Sequence, residues 1–171
     1  MMTLKSSDFE NQLFYNKNKI IVRRSVFRDV LYLSENLRES DIQEMQASHN
    51  IFPGEALSQG FYDSIICLTV VNNYVPVAMF GINAKSFFSQ DAVIWLLATP
   101  GLEKIQIRFL RHCKEFVNLM LSYYPMLYNF VDTRSTKTIL WLKFLGAEIE
   151  EPVPYGFAQL PFHRFSFKRV P

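Results

Sequence analysis

Hydrophobic positions along the chain switch between strand-like runs and helix-like stripes. Short apolar runs rich in β-branched residues predict strands. In the first two thirds of the chain they lie at 20–23, 64–71, 75–82 and 92–97. These runs are apolar almost throughout and lack the alternation of a sheet with one wet face. We therefore expect both faces of the sheet to be covered.

Helical spacing and capping residues predict the elements between the strands. Apolar residues recur at helical spacing over 27–37, 102–123 and 135–145, and Gly146 is placed to cap the last of these helices. Ser40-Asp41-Ile42-Gln43 has the form of a capping box and predicts a helix to about Ser48. Pro53 suits the first turn of a further helix that runs to about Gly60.

The remaining segments predict turns, closing strands and one extension. Asn72-Asn73 lies between two of the strands and predicts a tight hairpin turn. After a strand at 127–131 and the helix that follows it, we expect a strand at 147–150, a Pro/Gly-rich loop at 152–161 and a closing strand at 164–167. Residues 1–19 are polar with scattered aromatics, so we expect an irregular extension followed by one domain over 20–171.

Glycine content excludes several kinds of catalytic loop. The chain has 171 residues, 49% of them hydrophobic, which is enough for one good core. It has only six glycines, and no two of them stand two residues apart. Gly-x-Gly phosphate loops and Gly-x-Ser-x-Gly nucleophile elbows are therefore excluded.

Charge gives a weak global field with one local excess. The net charge of +2 makes nucleic acid an unlikely partner. Four basic residues nevertheless fall within the long predicted helix. They are Lys104, Arg108, Arg111 and Lys114. This row is either a solvated helix face or a site for an anion or a protein partner.

Cysteines, histidines and hydropathy bound the class of protein further. Cys67 and Cys113 lie among apolar neighbours and are expected to be buried thiols. The three histidines have no metal-ligand spacing with either cysteine, so we expect no metal. No apolar run reaches the length of a membrane span or a signal sequence, which predicts a soluble, cytoplasmic protein.

The order of elements resembles the Gcn5-related N-acetyltransferase (GNAT) superfamily. The segment from Asn129 to Ala147, with its strand, capped helix and Lys143-Phe144-Leu145-Gly146 ending, is similar to the late strand and helix of that superfamily. The resemblance implies an α+β fold with three layers, α/β/α, around a mixed, mostly antiparallel central sheet. That sheet is splayed between its fourth and fifth predicted strands, the runs at 92–97 and 127–131.

A narrower resemblance is to a phage and prophage family that includes the internal virion protein A type of short-tailed phages. Short motifs in a shared order carry it. They include Leu37-Arg38-x-x-Asp41, Pro76 to Gly81, Trp95-Leu96-Leu97, Phe109-Leu110-Arg111, Val131-Asp132, Trp141 to Gly146, Pro152-x-Pro154-Tyr155-Gly156 and Pro161-Phe162-His163-x-Phe165. The resemblance implies a role in virion morphogenesis in the bacterial host cytoplasm, with phage structural or assembly proteins as partners. Phe87-Phe88 and Tyr155-Gly156-Phe157 are then candidate interface anchors, or they cover the sheet.

The GNAT resemblance also implies a place for acetyl-CoA. In that superfamily the cofactor lies where two central strands splay, and backbone N–H groups of a Gly-rich loop hold its pyrophosphate. The corresponding loop here keeps only one glycine and carries the acidic Glu103. The loop either binds the cofactor or only turns the chain. The positions that the resemblance assigns to cofactor binding are Leu97, Ala98, Thr99, Gly101, Leu102, Lys104, Arg108 and Ser135.

Candidate catalytic residues are few. The superfamily's proton-donating Tyr on the penultimate helix falls at Leu142, which cannot transfer a proton. Tyr155 or His163 are possible substitutes or structural residues. Asp63, Asp91 and Glu103 are candidate bases or simple turn and cap carboxylates. Two functions stay open: an acetyltransferase-fold protein of virion assembly that is non-catalytic or binds acyl-CoA residually, and an active N-acetyltransferase on an unknown amine.

Overall fold

The chain forms eight strands and five α-helices in the residues that the computed structural model describes, 13–17, 19–84, 86 and 88–169. The strands are β1 (Leu13–Lys17), β2 (Ile20–Arg24), β3 (Ile66–Asn72), β4 (Val75–Asn83), β5 (Asp91–Ala98), β6 (Met126–Asp132), β7 (Glu148–Tyr155) and β8 (Leu160–Lys168). The helices are α1 (Phe27–Asn36), α2 (Glu39–His49), α3 (Pro53–Asp63), α4 (Gln106–Tyr123) and α5 (Thr136–Leu145). A 3₁₀ helix, Pro100–Ile105, joins β5 to α4.

All eight strands belong to one sheet with the order β1-β2-β3-β4-β5-β6-β8-β7. Every neighbouring pair is antiparallel except β5 and β6, which are parallel. A parallel pair needs a crossover connection. The 3₁₀ helix and α4 supply it, so the loop after β5 lies at the start of that crossover.

Helices cover both faces of the sheet, as the apolar strands predict. On one face Leu33 of α1 and Leu57 of α3 pack in a cluster with Met79 of β4. On the other face Phe116 and Met120 of α4 pack in the larger core. The expected α+β fold with three layers and a mixed, mostly antiparallel sheet is confirmed.

The irregular extension expected at 1–19 is only partly described, and the described part is a strand. Residues 1–12 lie outside the described residues. Tyr15 pairs with Val22, and Lys17 with Ile20, so β1 and β2 form a hairpin. Its turn includes Lys19, which has a φ of 64°. The sequence of β1 has no clear apolar alternation, and pairing with β2 decides its conformation.

Three helix and turn expectations need correction. The capping box at Ser40 is wrong, because α2 begins at Glu39 and no side chain caps its N-terminus. The long helix expected from residue 102 begins only at Gln106, after the 3₁₀ helix. The hairpin turn expected at Asn72-Asn73 lies one residue later, where Asn73 and Tyr74 have φ values of 48° and 67°.

The Pro/Gly-rich loop expected at 152–161 is also wrong, because most of it belongs to the β7–β8 hairpin. Pro152 pairs with His163 and Pro154 with Pro161. β7 is the last strand of the sheet. An edge strand tolerates proline because no neighbour needs the missing N–H group. By contrast, the cap predicted at Gly146 is confirmed, with a φ of 97° and its N–H bonded to the end of α5.

Candidate functional site

The sheet opens between β5 and β6. Their pairing covers only Asp91 with Met126, Ala92 with Leu127 and Val93 with Tyr128. Beyond that point the strands separate, and the side chain of Asn129 spans the gap by donating to the Ile94 carbonyl oxygen at 2.7 Å. The second half of β5 therefore has an edge that β6 does not use.

A cavity of about 120 Å³ lies at this opening and reaches between the sheet and helices α4 and α5. Its wall is mainly apolar and includes Leu96, Phe116, Phe130, Trp141 and Leu142. Trp141 Nε1 is buried there and has no hydrogen-bond partner. The splay is thus open, but aromatic and aliphatic side chains narrow it.

The junction of α1 and α2 is clamped onto the free edge of β5. Thr99 N–H donates to Val77 O on the β4 side, so the peptide groups of Ala98, one residue earlier, point toward the opening. Ala98 N–H donates to Asp41 Oδ2 at 2.8 Å, and Ala98 O accepts from Arg38 N–H at 2.9 Å. The Arg38 Nε also donates to Asp41 Oδ1 at 2.7 Å.

This clamp holds a buried carboxylate. Burial raises the pKa of Asp41, and the neighbouring Arg38 guanidinium and the Ala98 N–H group oppose that rise. Both oxygens of Asp41 are therefore engaged by the chain itself.

The loop after β5 uses its own N–H groups in the same way. Gly101 N–H donates to Thr99 Oγ1 at 3.1 Å, and Leu102 N–H donates to Thr99 O at 3.1 Å. A Cβ on Gly101 would lie 3.0 Å from Thr99 Oγ1 and 3.0 Å from Val77 Cγ1. Glycine at this position therefore serves the packing of the turn. Leu102 is buried in the core, whereas Glu103 and Lys104 are exposed.

A second carboxylate, Glu44, lies at the mouth of the opening. Its Oε2 accepts from Ser135 Oγ at 3.0 Å, at the N-terminus of α5. Burial raises the pKa of Glu44 to about 7. The hydrogen bond from Ser135 opposes this rise in pKa, and the nearby Asp41 adds to it. Glu44 also borders a groove of about 410 Å³ that continues to Arg134 at the surface. A carboxyl group that titrates near neutrality can exchange a proton with a bound group.

Asp132, at the end of β6, completes the polar rim. Arg134 donates to it at 2.6 Å and holds the pKa of Asp132 below its usual range. The acidic groups thus have distinct environments, because Asp41 and Asp132 face guanidinium groups directly and Glu44 accepts from a hydroxyl group.

Most of the predicted site residues take part in packing or in hydrogen bonds within the chain. Leu97 packs with the α1–α3 cluster, Ala98 and Thr99 form the loop contacts above, and Ser135 bonds Glu44. Arg108 lies in α4, but its side chain is outside the described residues. Asp91 begins β5 and Asp63 ends α3.

The two predicted proton donors lie outside the cavity wall. Tyr155 stacks on Phe130 with ring centroids 3.8 Å apart, and burial raises its pKa. His163 Nδ1 donates to the carbonyl oxygen of Glu150 at 2.7 Å. Leu142, which stands where the resemblance puts a tyrosine, does line the cavity.

Arg38, Asp41 and Glu44 are the residues whose chemistry the sequence reasoning missed. They recur every three residues, a spacing that puts side chains on the same side of a helix. The sequence therefore contained a signal that these residues lie together. Their partners Ala98 and Ser135 are 57 and 91 residues away in sequence, so no local pattern joins them.

Other chemistry is sparse in the described part of the chain. Cys67 and Cys113 are buried and free, as expected, and burial raises the pKa of each thiol, that of Cys67 to about 11. No group of three or more potential metal ligands occurs among the described residues. No described helix is both long and apolar enough to cross a membrane.

Comparison with solved structures identifies the architecture. A GNAT-family acetyltransferase from Bacillus anthracis superposes with a TM-score of 0.66 at 10% identity, covering 92% of this chain and 98% of that chain. The ribosomal-protein-S5-alanine acetyltransferase from Vibrio fischeri gives 0.65 at 12% identity, over 92% and 97%. The chain has the GNAT fold.

A third GNAT-fold neighbour contains the cofactor. Spermidine N-acetyltransferase from Vibrio cholerae, solved with CoA and spermine, gives a TM-score of 0.61 at 12% identity and covers 89% of this chain and 96% of that chain. No protein-family model matches the sequence, and no curated protein matches it significantly. At these identities the likeness establishes the fold alone.

The GNAT fold implies acetyl-CoA, so its fit can be tested on the residues present. The splay provides an apolar cleft. In the loop after β5, where the resemblance puts the pyrophosphate, however, the N–H groups of Ala98, Gly101 and Leu102 are already bonded within the chain, and the exposed Glu103 adds a negative charge. As they stand, these three N–H groups are not free to bind a pyrophosphate group.

Proposed function

We propose that this GNAT-fold chain does not transfer acetyl groups and acts through protein contacts in the assembly of a phage particle. The absence of acetyl transfer is proposed from one observation: the free edge of β5 and the loop after it are hydrogen-bonded within the chain. The GNAT resemblance puts the cofactor's pyrophosphate at the loop after β5, and three N–H groups of β5 and this loop have partners in the structure. All three, on Ala98, Gly101 and Leu102, are bonded to acceptors of this chain.

Opening that edge would be costly. The Asp41 carboxylate would have to leave a buried N–H group and a partly exposed guanidinium group, at a net cost of about 2–4 kcal/mol. A cost of about 3 kcal/mol lowers an affinity by roughly two orders of magnitude. Leu142 adds a second obstacle, because it cannot protonate a departing thiolate.

The role in phage assembly is supported by the resemblance of several short sequence motifs to those of the phage and prophage family. Several of these motifs, such as Trp95-Leu96-Leu97, form the central sheet and account for the fold. Of the aromatic segments considered as anchors, Phe88 and Phe157 are exposed while Tyr155 is packed against Phe130, and Phe87 lies outside the described residues.

The experiment for this role is co-purification of the tagged chain from phage-infected cells, together with deletion of its gene. We expect the chain to associate with portal, core or scaffold components, and we expect the deletion to lower the yield of complete particles. Normal particles without the chain, and no association with any such component, would contradict the proposal.

A second candidate, an active N-acetyltransferase, is favoured by Glu44. Its pKa of about 7 and its position beside an open groove suit a group that takes a proton from an amine. Release of free CoA thiol, followed with a panel of amines, distinguishes the two candidates. Turnover that Glu44→Gln abolishes would favour the enzyme, and no turnover with any amine favours the assembly protein.

A further inference from the structure

The outer surface of α4 and α5 presents basic and apolar side chains together. On α4, Ile107, Arg111 and Lys114 recur at spacings of four and three residues, so they lie on one stripe of the helix. On α5, Leu140, Lys143 and Phe144 are exposed. We call these six residues the basic-apolar face.

The two halves of this face are joined. Lys114 Nζ lies 4.9 Å from the centroid of the Phe144 ring, which brings the α4 stripe against α5. The apolar members are well exposed, with 73% for Ile107, 68% for Leu140 and 57% for Phe144. Exposed apolar side chains grouped in this way are typical of interaction sites.

The charge of the face is one-sided. α5 contains no acidic residue, and the only acidic residue of α4, Glu115, is paired with His112 at 3.3 Å. Among the residues that the structure describes, none of the ion pairs involves Arg111, Lys114 or Lys143. Three cations therefore lack a counter-charge from the described part of the chain.

We propose that the basic-apolar face binds an acidic amphipathic helix of a partner protein. Two adjacent helices offer the ridges between which such a helix lies, with its apolar residues on Leu140 and Phe144 and its carboxylates near Lys114 and Arg111. Charge complementarity selects an acidic partner and raises its association rate. This inference rests on the proposed role through protein contacts.

The arrangement favours a protein partner over nucleic acid or lipid. Lys114 lies over one face of the Phe144 ring, which leaves less of the ring for a base to stack on. The α4 stripe places the apolar Ile107 in line with two cations, Arg111 and Lys114, so apolar and charged side chains share it. A membrane-binding helix instead separates an apolar face from a polar one.

The test is a selection followed by a binding measurement on the full chain. A yeast-displayed library of random helical peptides is sorted for binding, with counter-selection against a Lys114→Glu, Phe144→Ala double variant. We expect the enriched peptides to be acidic, with apolar residues three or four positions apart. Fluorescence anisotropy with an enriched peptide should then show affinity lowered about tenfold by Lys114→Glu and by Phe144→Ala, a change of about 1.4 kcal/mol each.

Control and contrary outcomes are defined on the same chain. Arg28→Glu reverses an exposed charge on α1, on the other face of the sheet, and should change the affinity less than about twofold. No enriched peptide, or peptides without net negative charge, would overturn the inference. Oligothymidylate, or vesicles with equal parts of phosphatidylcholine and phosphatidylglycerol, would also overturn the inference by binding as tightly as the peptide, if Lys114→Glu abolishes that binding. Failure here leaves co-purification with phage components unaffected, so the two proposals fail separately.

Discussion

Asp41→Ala is the substitution that best tests the clamp on β5. It leaves the buried Ala98 N–H group without an acceptor, which costs about 1–3 kcal/mol. It also leaves the Arg38 guanidinium, 24% exposed, without its carboxylate. Solvent reaches that guanidinium, so we assign about 1–2 kcal/mol to this loss, below the range for a fully buried pair. Relief of the buried carboxylate's desolvation offsets part of the sum, and we expect a net loss of about 2–4 kcal/mol.

Urea unfolding of the wild-type chain and three variants measures this loss. Asp41→Asn keeps an acceptor for Ala98 but not the charge, so it should lose about half as much. Glu150→Gln is the matched control, because its pair with Arg164 is exposed and worth less than about 1 kcal/mol.

Hydrogen exchange gives a second, local readout of the same clamp. The Ala98 amide should exchange slowly in the wild-type chain and rapidly in Asp41→Ala, while amides of the β3–β4 pairing keep their protection. If Asp41→Ala lost less than about 1 kcal/mol and left Ala98 protected, the clamp would not be what closes the edge of β5.

Three further predictions concern acidity, backbone strain and thiols. Because the pKa of Glu44 is raised from 4.5 to about 7 on folding, stability should fall by up to about 3 kcal/mol as the pH rises between these values; urea unfolding of Glu44→Gln should lack this slope. Gly156→Ala places a Cβ against the backbone of Ser48 at a φ of 71°, whereas Gly146→Ala meets open space at a φ of 97°. Thermal unfolding should therefore show a loss of about 1 kcal/mol for Gly146→Ala and a clearly larger loss for Gly156→Ala; equal losses would contradict the docking of that hairpin. Cys67 and Cys113 should react with a thiol reagent at mildly alkaline pH only after unfolding, because burial raises the pKa of both.

The central sheet could be predicted because its strands carry strong local signals. The runs around Val70, Ala78 and Trp95 are apolar and β-branched, and each forms the strand expected of it. The sequence of β1 carries no such signal. Its residues are exposed or only partly buried, and its strand conformation depends on pairing with β2. The prolines of β7 indicated a loop, but an edge strand tolerates them.

The candidate site was less predictable, because its parts meet only in three dimensions. Two features were visible in the sequence: Leu142 stands where the resemblance puts a tyrosine, and the loop after β5 keeps only one glycine. That Asp41 closes the edge of β5 was not, because the capping box indicated a local role for that segment. Asp41 instead accepts a hydrogen bond from the Ala98 N–H group, and the Arg38 N–H group donates to the Ala98 carbonyl oxygen.

Isothermal titration calorimetry with acetyl-CoA tests the central claim most directly. The account predicts no measurable binding at millimolar ligand, because three of the N–H groups at the positions that the resemblance assigns to the cofactor are bonded within the chain. Micromolar binding that is abolished by Gly101→Glu or Lys104→Glu would contradict it, because the loop after β5 would then be a working phosphate site.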